Sequence, residues 1–322
     1  MQSQPHGSHL DQATGAPPAP LPPTREADDL PPIGRRFEVA GRRLYLHRSG
    51  TGRPVVVFLP GGGMFGLGYL NIHTRVAELT TSVVYDRAGT GWSDPIPLPR
   101  SAADVAGELR SLLRTADLAG PYLFVGHSLG GLYARRFAQL FPAEVAGLLL
   151  LDPAHEDYSA NEPEIARRAA EEWKKQPMPE LGPEQIEGFR PILKEMYAEW
   201  SPEIREPLIE RHLNPTQVRT GLLEARNADE LYDEMRGGDS IPAVPVIVYT
   251  AMGIDASQTV FSTEEVVRAQ NAAKLATNSA FARSIPGAES RVLEDASHLM
   301  IHTRRPDAVM QGLRDLLGRI DR

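Results

Sequence analysis

The stretch Tyr122-Leu123-Phe124-Val125-Gly126-His127-Ser128-Leu129-Gly130-Gly131-Leu132 joins a short unbroken apolar run to a helical pattern through a turn of glycines. An apolar run without alternation reads as a strand buried on both faces, and the 3.6-residue spacing over 129–141 reads as a helix. A tight strand-to-helix turn needs glycine two residues either side of Ser128, because a Cβ there would meet neighbouring backbone. Such a turn lifts the serine hydroxyl above the sheet and puts the N–H of Leu129 at a helix start, where it can bind a developing oxyanion.

Working outward, Val55–Leu59, 82–85, 147–151 and 244–249 are apolar runs of the same kind, and 290–294 is a further short strand. Helical patterns at 72–79, 101–113, 129–141 and 309–317 fall between or after them. Alternation of strand and helix predicts an α/β fold with a mostly parallel, doubly wound sheet. Ahead of it, Phe37–Val39 and Leu44–Leu46 flank Ala40-Gly41 as a hairpin. Residues 1–33 hold eight prolines and few large apolar side chains, the composition of a tail without a core. Residues 154–240 lack a credible strand and carry charged helical segments broken by prolines; strand text resumes at Val244. The expected organisation is a core of 34–153 and 241–322 with a helical cap over 154–240.

Gly126-His127-Ser128-Leu129-Gly130-Gly131 resembles the nucleophile elbow of the α/β-hydrolase family. The resemblance extends to Val55–Gly63, to Tyr85-Asp86-Arg87-Ala88-Gly89-Thr90-Gly91-Trp92-Ser93, and to Asp295-Ala296-Ser297-His298, covering roughly residues 36–322. It implies Ser128 as nucleophile and an oxyanion donor in Pro60-Gly61-Gly62-Gly63, with Gly62 the better aligned and Gly63 second, beside Leu129. Proline stands where the family usually has histidine. Asp86 and Arg87 are expected to tie down this loop rather than to do chemistry.

A serine hydroxyl needs a base within hydrogen-bond reach. Among nine histidines, His298 follows the last strand and precedes the last helix, matching the chain order serine, acid, histidine of this fold. His302 is second. For the acid, Asp255 follows the strand ending at Tyr249, and Asp152 ends the strand 147–151; the sequence leaves the choice open. Apolar cap residues Trp173, Met178, Phe189, Met196, Tyr197 and Trp200 are expected to roof a pocket, with Met64, Phe65 and His155 at its mouth.

Thirty-four Lys+Arg against 42 Asp+Glu give a net charge of −8, without a basic block, which argues against a nucleic-acid surface. With no cysteine, disulfides, thiolate metal sites and a cysteine nucleophile are excluded. His155-Glu156-Asp157 are contiguous, a spacing that does not turn three side chains onto one ion. No metal or other cofactor is expected. The polar start of the chain and the lack of an apolar run of about 18 residues lead to the expectation of a cytoplasmic protein without a membrane span. The reading is a serine hydrolase of a small to medium apolar ester, lactone or thioester. Acyl transfer or C–C cleavage with the same triad is the second reading, and a noncatalytic ligand receptor on the same scaffold the third.

Overall fold

Val55–Leu59 is buried along its whole length, as a strand covered on both faces must be. Val56 and Phe58 enter one apolar layer and Val55, Val57 and Leu59 the other, following the period of two. The computed structural model describes residues 30–259 and 262–320. Of the expected tail over 1–33, residues 1–29 lie outside the described residues.

Eight strands form one sheet: β1 (Arg35–Val39), β2 (Arg42–Ser49), β3 (Val55–Leu59), β4 (Ser82–Tyr85), β5 (Tyr122–His127), β6 (Val145–Leu151), β7 (Val246–Ala251) and β8 (Glu289–Leu293). Their order is β1-β2-β4-β3-β5-β6-β7-β8. β2 pairs antiparallel with β1 and β4, and every other pair is parallel. Ala40 and Gly41 turn the β1–β2 hairpin with φ of 48° and 77°, the positive pair that matches strand twist.

Helices α1 (Leu70–Ala77), α2 (Ala102–Thr115) and α3 (Leu129–Leu140) alternate with the strands. Between β6 and β7 lie α4 (Tyr158–Asn161), α5 (Glu164–Lys175), α6 (Pro183–Glu187), α7 (Arg190–Met196), α8 (Pro202–His212), α9 (Pro215–Arg226) and α10 (Ala228–Arg236). After β7 come α11 (Ala256–Thr259) and α12 (Glu264–Ser284), and after β8 come α13 (Ile301–Arg304) and α14 (Pro306–Ile320). Ile72 and Val76 of α1 and Val309, Leu313 and Leu316 of α14 pack one face of the sheet. Val105, Leu109 and Leu112 of α2 and Leu132 and Phe137 of α3 pack the other. The sheet is thus sandwiched between helices, as expected.

α12 is the element that the apolar pattern does not announce. Its buried positions include Asn271, Thr277 and Asn278 beside Val266, Val267 and Ala273, so its inward face is part polar and the usual hydrophobic stripe is weak. The 21-residue helix fills half of the long interval between Asp255 and His298. Because the strands run parallel, the loops after β3, β5, β6 and β8 meet at one edge, where open α/β sheets hold their ligands.

Candidate active site

Ser128 stands between β5 and α3 with φ 51° and ψ −121°, outside the ordinary regions for an L-residue. The surroundings hold it there. Its N–H donates to Leu151 O at 3.0 Å, and its carbonyl accepts from Gly131 N–H and Ala154 N–H at 2.9 and 3.0 Å. A Cβ on Gly126 would lie 2.6 Å from Gly131 Cα, and one on Gly130 only 2.0 Å from Leu59 O. Both flanking glycines are therefore required by backbone approach. Leu129 begins α3, so its N–H has no intrahelical acceptor.

The structure brings together Ser128, His298 and Asp152. Nδ1 of His298 lies 2.5 Å from Asp152 Oδ2, and Nε2 lies 3.0 Å from Ser128 Oγ. A carboxylate only accepts, so Nδ1 carries the proton, which leaves Nε2 to accept from the serine hydroxyl. The Asp152 side chain is fully buried, and its Oδ1 accepts from Ala251 N–H at 3.2 Å. Burial by itself would raise its carboxyl; the charge of Lys274 and the hydrogen bond from His298 outweigh that and hold it well below the usual carboxylate range. Asp152 adopts φ 45° at the end of β6.

Asp255 sits elsewhere. It accepts from Ser297 Oγ and from Gln258 N–H and does not meet the histidine that Asp152 holds. His302 stacks on Tyr69 with ring centroids 4.5 Å apart. His127 serves neither as base nor as bystander. Its Nε2 faces His298 O at 2.8 Å and so donates, while Nδ1 accepts from Tyr69 O–H at 2.7 Å. Tyr69 in turn accepts from Gly61 N–H at 3.3 Å. One buried chain thereby ties the glycine loop, the serine turn and the His298 loop together.

The glycine loop packs on the serine: a Cβ on Gly61 would be 3.3 Å from Ser128 Cβ, and one on Gly62 would be 3.6 Å from Leu129 Cδ2. Arg87, expected to tie this loop, donates to Pro60 O at 2.6 Å and Gly61 O at 2.9 Å. Asp86 accepts from Gly66 N–H and Trp92 N–H at 2.7 and 2.9 Å, and burial pushes its carboxyl up to about 6. The two glycines differ in a way the sequence does not reveal. Gly63 N–H already donates to Glu224 Oε2 at 2.8 Å, so it is not free for a substrate oxygen in this arrangement.

A cavity of about 1070 Å³ opens on His298 and Gly63; α5, α7 and α9 line part of it through Trp173, Leu193, Val218 and Leu222, and Phe189, just ahead of α7, lines it too. Of the residues expected to roof or rim a pocket, Trp173 and Phe189 line this cavity and several others do not. Tyr197 is fully buried and bonds His212 Nε2 at 2.9 Å; Trp200 Nε1 donates to Leu67 O at 2.8 Å. Trp200 thereby pins the inserted helices to the core, and the Tyr197 bond ties two of those helices together. Phe65 stacks on His212, centroids 4.0 Å apart, and His212 rather than Phe65 faces the cavity. Met64, Met178 and Met196 are not among its lining residues, and Met64 and Met196 sit in the core layer shared with the inserted helices. His155 lines a different cavity, of about 700 Å³, with Arg135 and Glu156, and burial lowers it to about 4. Aromatic and Met residues in this segment serve packing as readily as a pocket, which is why pattern alone misplaces them.

Two residues near the site escape sequence reading. Glu224 reaches Gly63 and Arg87 from α9. Its signal is Gly221, three residues earlier on the same helix face, where a Cβ would come 3.0 Å from Gly63 Cα. Lys274 of α12 lies with Nζ 2.5 Å from Asp152 Oδ2, and nothing in its local text marks it.

Among the described residues, no group of three or more His, Asp or Glu is placed to hold a metal ion, and no helix is long and apolar enough to cross a membrane.

Comparison with known proteins bears on the fold. Solved structures with the same arrangement include an esterase from Thermogutta terrifontis (23% identity, TM-score 0.56, covering 89% of this chain and 99% of that one). An enol-lactonase from Burkholderia xenovorans LB400 matches at 19% identity and TM-score 0.57, over 88% and 99%. A putative epoxide hydrolase from Pseudomonas aeruginosa matches at 21% and 0.65, over 90% and 96%. In sequence, an uncharacterized protein of Schizosaccharomyces pombe is 42% identical over 84 residues, 26% of this chain and 15% of that one. The uncharacterized protein YbdG of Bacillus subtilis is 27% identical over 130 residues, 40% of each. The chain thus spans well under two thirds of the length of these curated relatives. Residues 56–311 match the model of the alpha/beta hydrolase family, and the chain belongs to that family.

Proposed function

We propose that the protein is a serine hydrolase that cleaves a neutral, largely apolar ester, lactone or thioester through an acyl-enzyme on Ser128. The observation that carries this reading is the continuous hydrogen-bonded path from Ser128 Oγ through His298 to Asp152 Oδ2. In the first step Ser128 Oγ attacks the acyl carbonyl while His298 Nε2 takes its proton. Asp152 keeps the imidazole in the working tautomer and stabilises the imidazolium. The tetrahedral oxyanion sits against Leu129 N–H and Gly62 N–H. Collapse expels the alcohol or thiol, protonated by His298, and a water activated by the same nitrogen releases the acid and restores the serine.

The helices between β6 and β7 act as a cap. Apart from His212 and His298, the described residues lining the cavity carry no ionisable side chain. Such a lining favours an uncharged acyl group, since a charge brought there would lose its hydration without a partner. Two proteins of similar structure are an esterase and an enol-lactonase, which agrees with this class of bond. The test is a panel of neutral acyl esters and lactones of graded chain length. Turnover by the wild type that is lost in Ser128→Ala supports the reading; turnover that survives in Ser128→Ala contradicts it.

A further inference from the structure

Resting on the serine reading, we infer that Lys274 is a positioning residue for the acid–base pair: its ammonium orients Asp152 and sets the pH range in which His298 accepts the serine proton. Nζ of Lys274 and Nδ1 of His298 meet the same oxygen, Asp152 Oδ2, each at 2.5 Å. The other oxygen is held by Ala251 N–H. The carboxylate therefore faces two cationic donors when His298 is protonated and one when it is neutral. A fixed positive charge so close to the ring disfavours the imidazolium.

Lys274 is built into its place. Asn271, Lys274 and Asn278 lie on one face of α12, three and four residues apart. Asn271 Nδ2 donates to Met252 O at 3.0 Å, and Asn278 Nδ2 donates to Thr250 Oγ1 at 3.0 Å. The two amides pin the helix to the end of β7 on either side of the lysine, whose side chain is only 17% exposed. A lysine so held has little freedom to leave Asp152.

The other titratable groups near His298 come from several elements. His127 at the end of β5 is 5.1 Å away between centroids and is held well below the usual range by burial. His302 on α13 and His212 on α8 are pushed down to about 4 and about 3, also by burial. Asp255, after β7, is engaged with Ser297. Burial disfavours the charged form of these three histidines, and Asp152 and Lys274 are the charged groups joined to the His298 ring through hydrogen bonds.

The experiment is the pH dependence of Ser128 labelling by a fluorophosphonate, read by intact mass, in wild type, Lys274→Met, Lys274→Gln and Lys274→Arg. In the two neutral variants the acid limb is expected to move upward by about one pH unit or more, with labelling still reached at high pH. Lys274→Arg, which keeps the charge, keeps the limb near that of wild type. Lys274→Gln retains a hydrogen-bond donor and serves where Lys274→Met does not fold. Neutral variants that label with the wild-type limb would overturn the inference. Absence of any adduct on folded wild type would instead overturn the serine reading itself, and this role with it.

Discussion

Glu224, on an inserted helix, accepts the N–H of Gly63 at 2.8 Å, so a residue far along the chain closes the loop that faces the candidate nucleophile. The same carboxylate pairs with Arg87 through two hydrogen bonds at 3.0 and 2.9 Å, with both side chains buried. Burial alone would lower Arg87, but the neighbouring Glu224 charge outweighs it and keeps the guanidinium ionised. The network joins the helical insertion to the glycine loop.

Removing one partner of a buried pair leaves the other charge without compensation, at a cost of about 3–5 kcal/mol. Glu224→Ala and Arg87→Met are each expected to destabilise by that order in urea unfolding. The double variant Arg87→Met/Glu224→Leu should recover part of the stability while turnover stays low, because the glycine loop is no longer held. A double variant with the summed loss of the two single ones would contradict this.

The choice of acid has a direct test. Asp152→Asn is expected to lower kcat by about 10⁴, the loss that follows when the histidine is held in the wrong tautomer. Asp255→Asn should change kcat by less than about tenfold, a disturbance of loop packing rather than of the triad. Comparable losses in both would sink the assignment.

Acid stability should carry the mark of His212. Burial between Phe65 and Tyr197 lowers it to about 3, so the folded state binds fewer protons than the unfolded state below the ordinary histidine value. By linkage, stability rises with pH across this window and is lost as pH falls from about 6.5 toward about 3. Between about pH 7 and pH 5 this one group contributes a loss of roughly 2 kcal/mol. Urea unfolding at both values, in wild type and His212→Gln, measures it; equal losses in the two proteins would refute the role given to His212.

The glycines of the serine turn admit no side chain. Gly130→Ala would put a Cβ 2.0 Å from Leu59 O, so the turn or β3 must shift. We expect a loss of about 3 kcal/mol or more together with the loss of nucleophile labelling. Circular dichroism and thermal unfolding provide the check, and a variant that folds and labels normally would argue against the packing described.

The sheet was legible in the sequence because buried parallel strands leave unbroken apolar runs, and 55–59, 122–127 and 145–151 have little else to be. The serine turn was legible because its glycines are forced by backbone contact. Choosing between Asp152 and Asp255 was not possible from text, since both follow strands that end at the same sheet edge and only the side-chain direction separates them. α12 hid behind its part-polar inward face, and Lys274 with it. Tyr197, Trp200 and Phe65 show the converse limit: bulky apolar residues near a site mark packing as often as a pocket, and only their partners, His212 and Leu67 O, decide which.

Every step proposed for the site depends on an activated serine at residue 128. Intact-mass analysis after exposure to a fluorophosphonate, on wild type, Ser128→Ala and His298→Ala, tests it most directly. One adduct is expected on wild type, none on Ser128→Ala, and labelling slowed by about 10³-fold or more in His298→Ala. A folded wild-type protein that takes up no adduct, or an adduct that persists in Ser128→Ala, would contradict it.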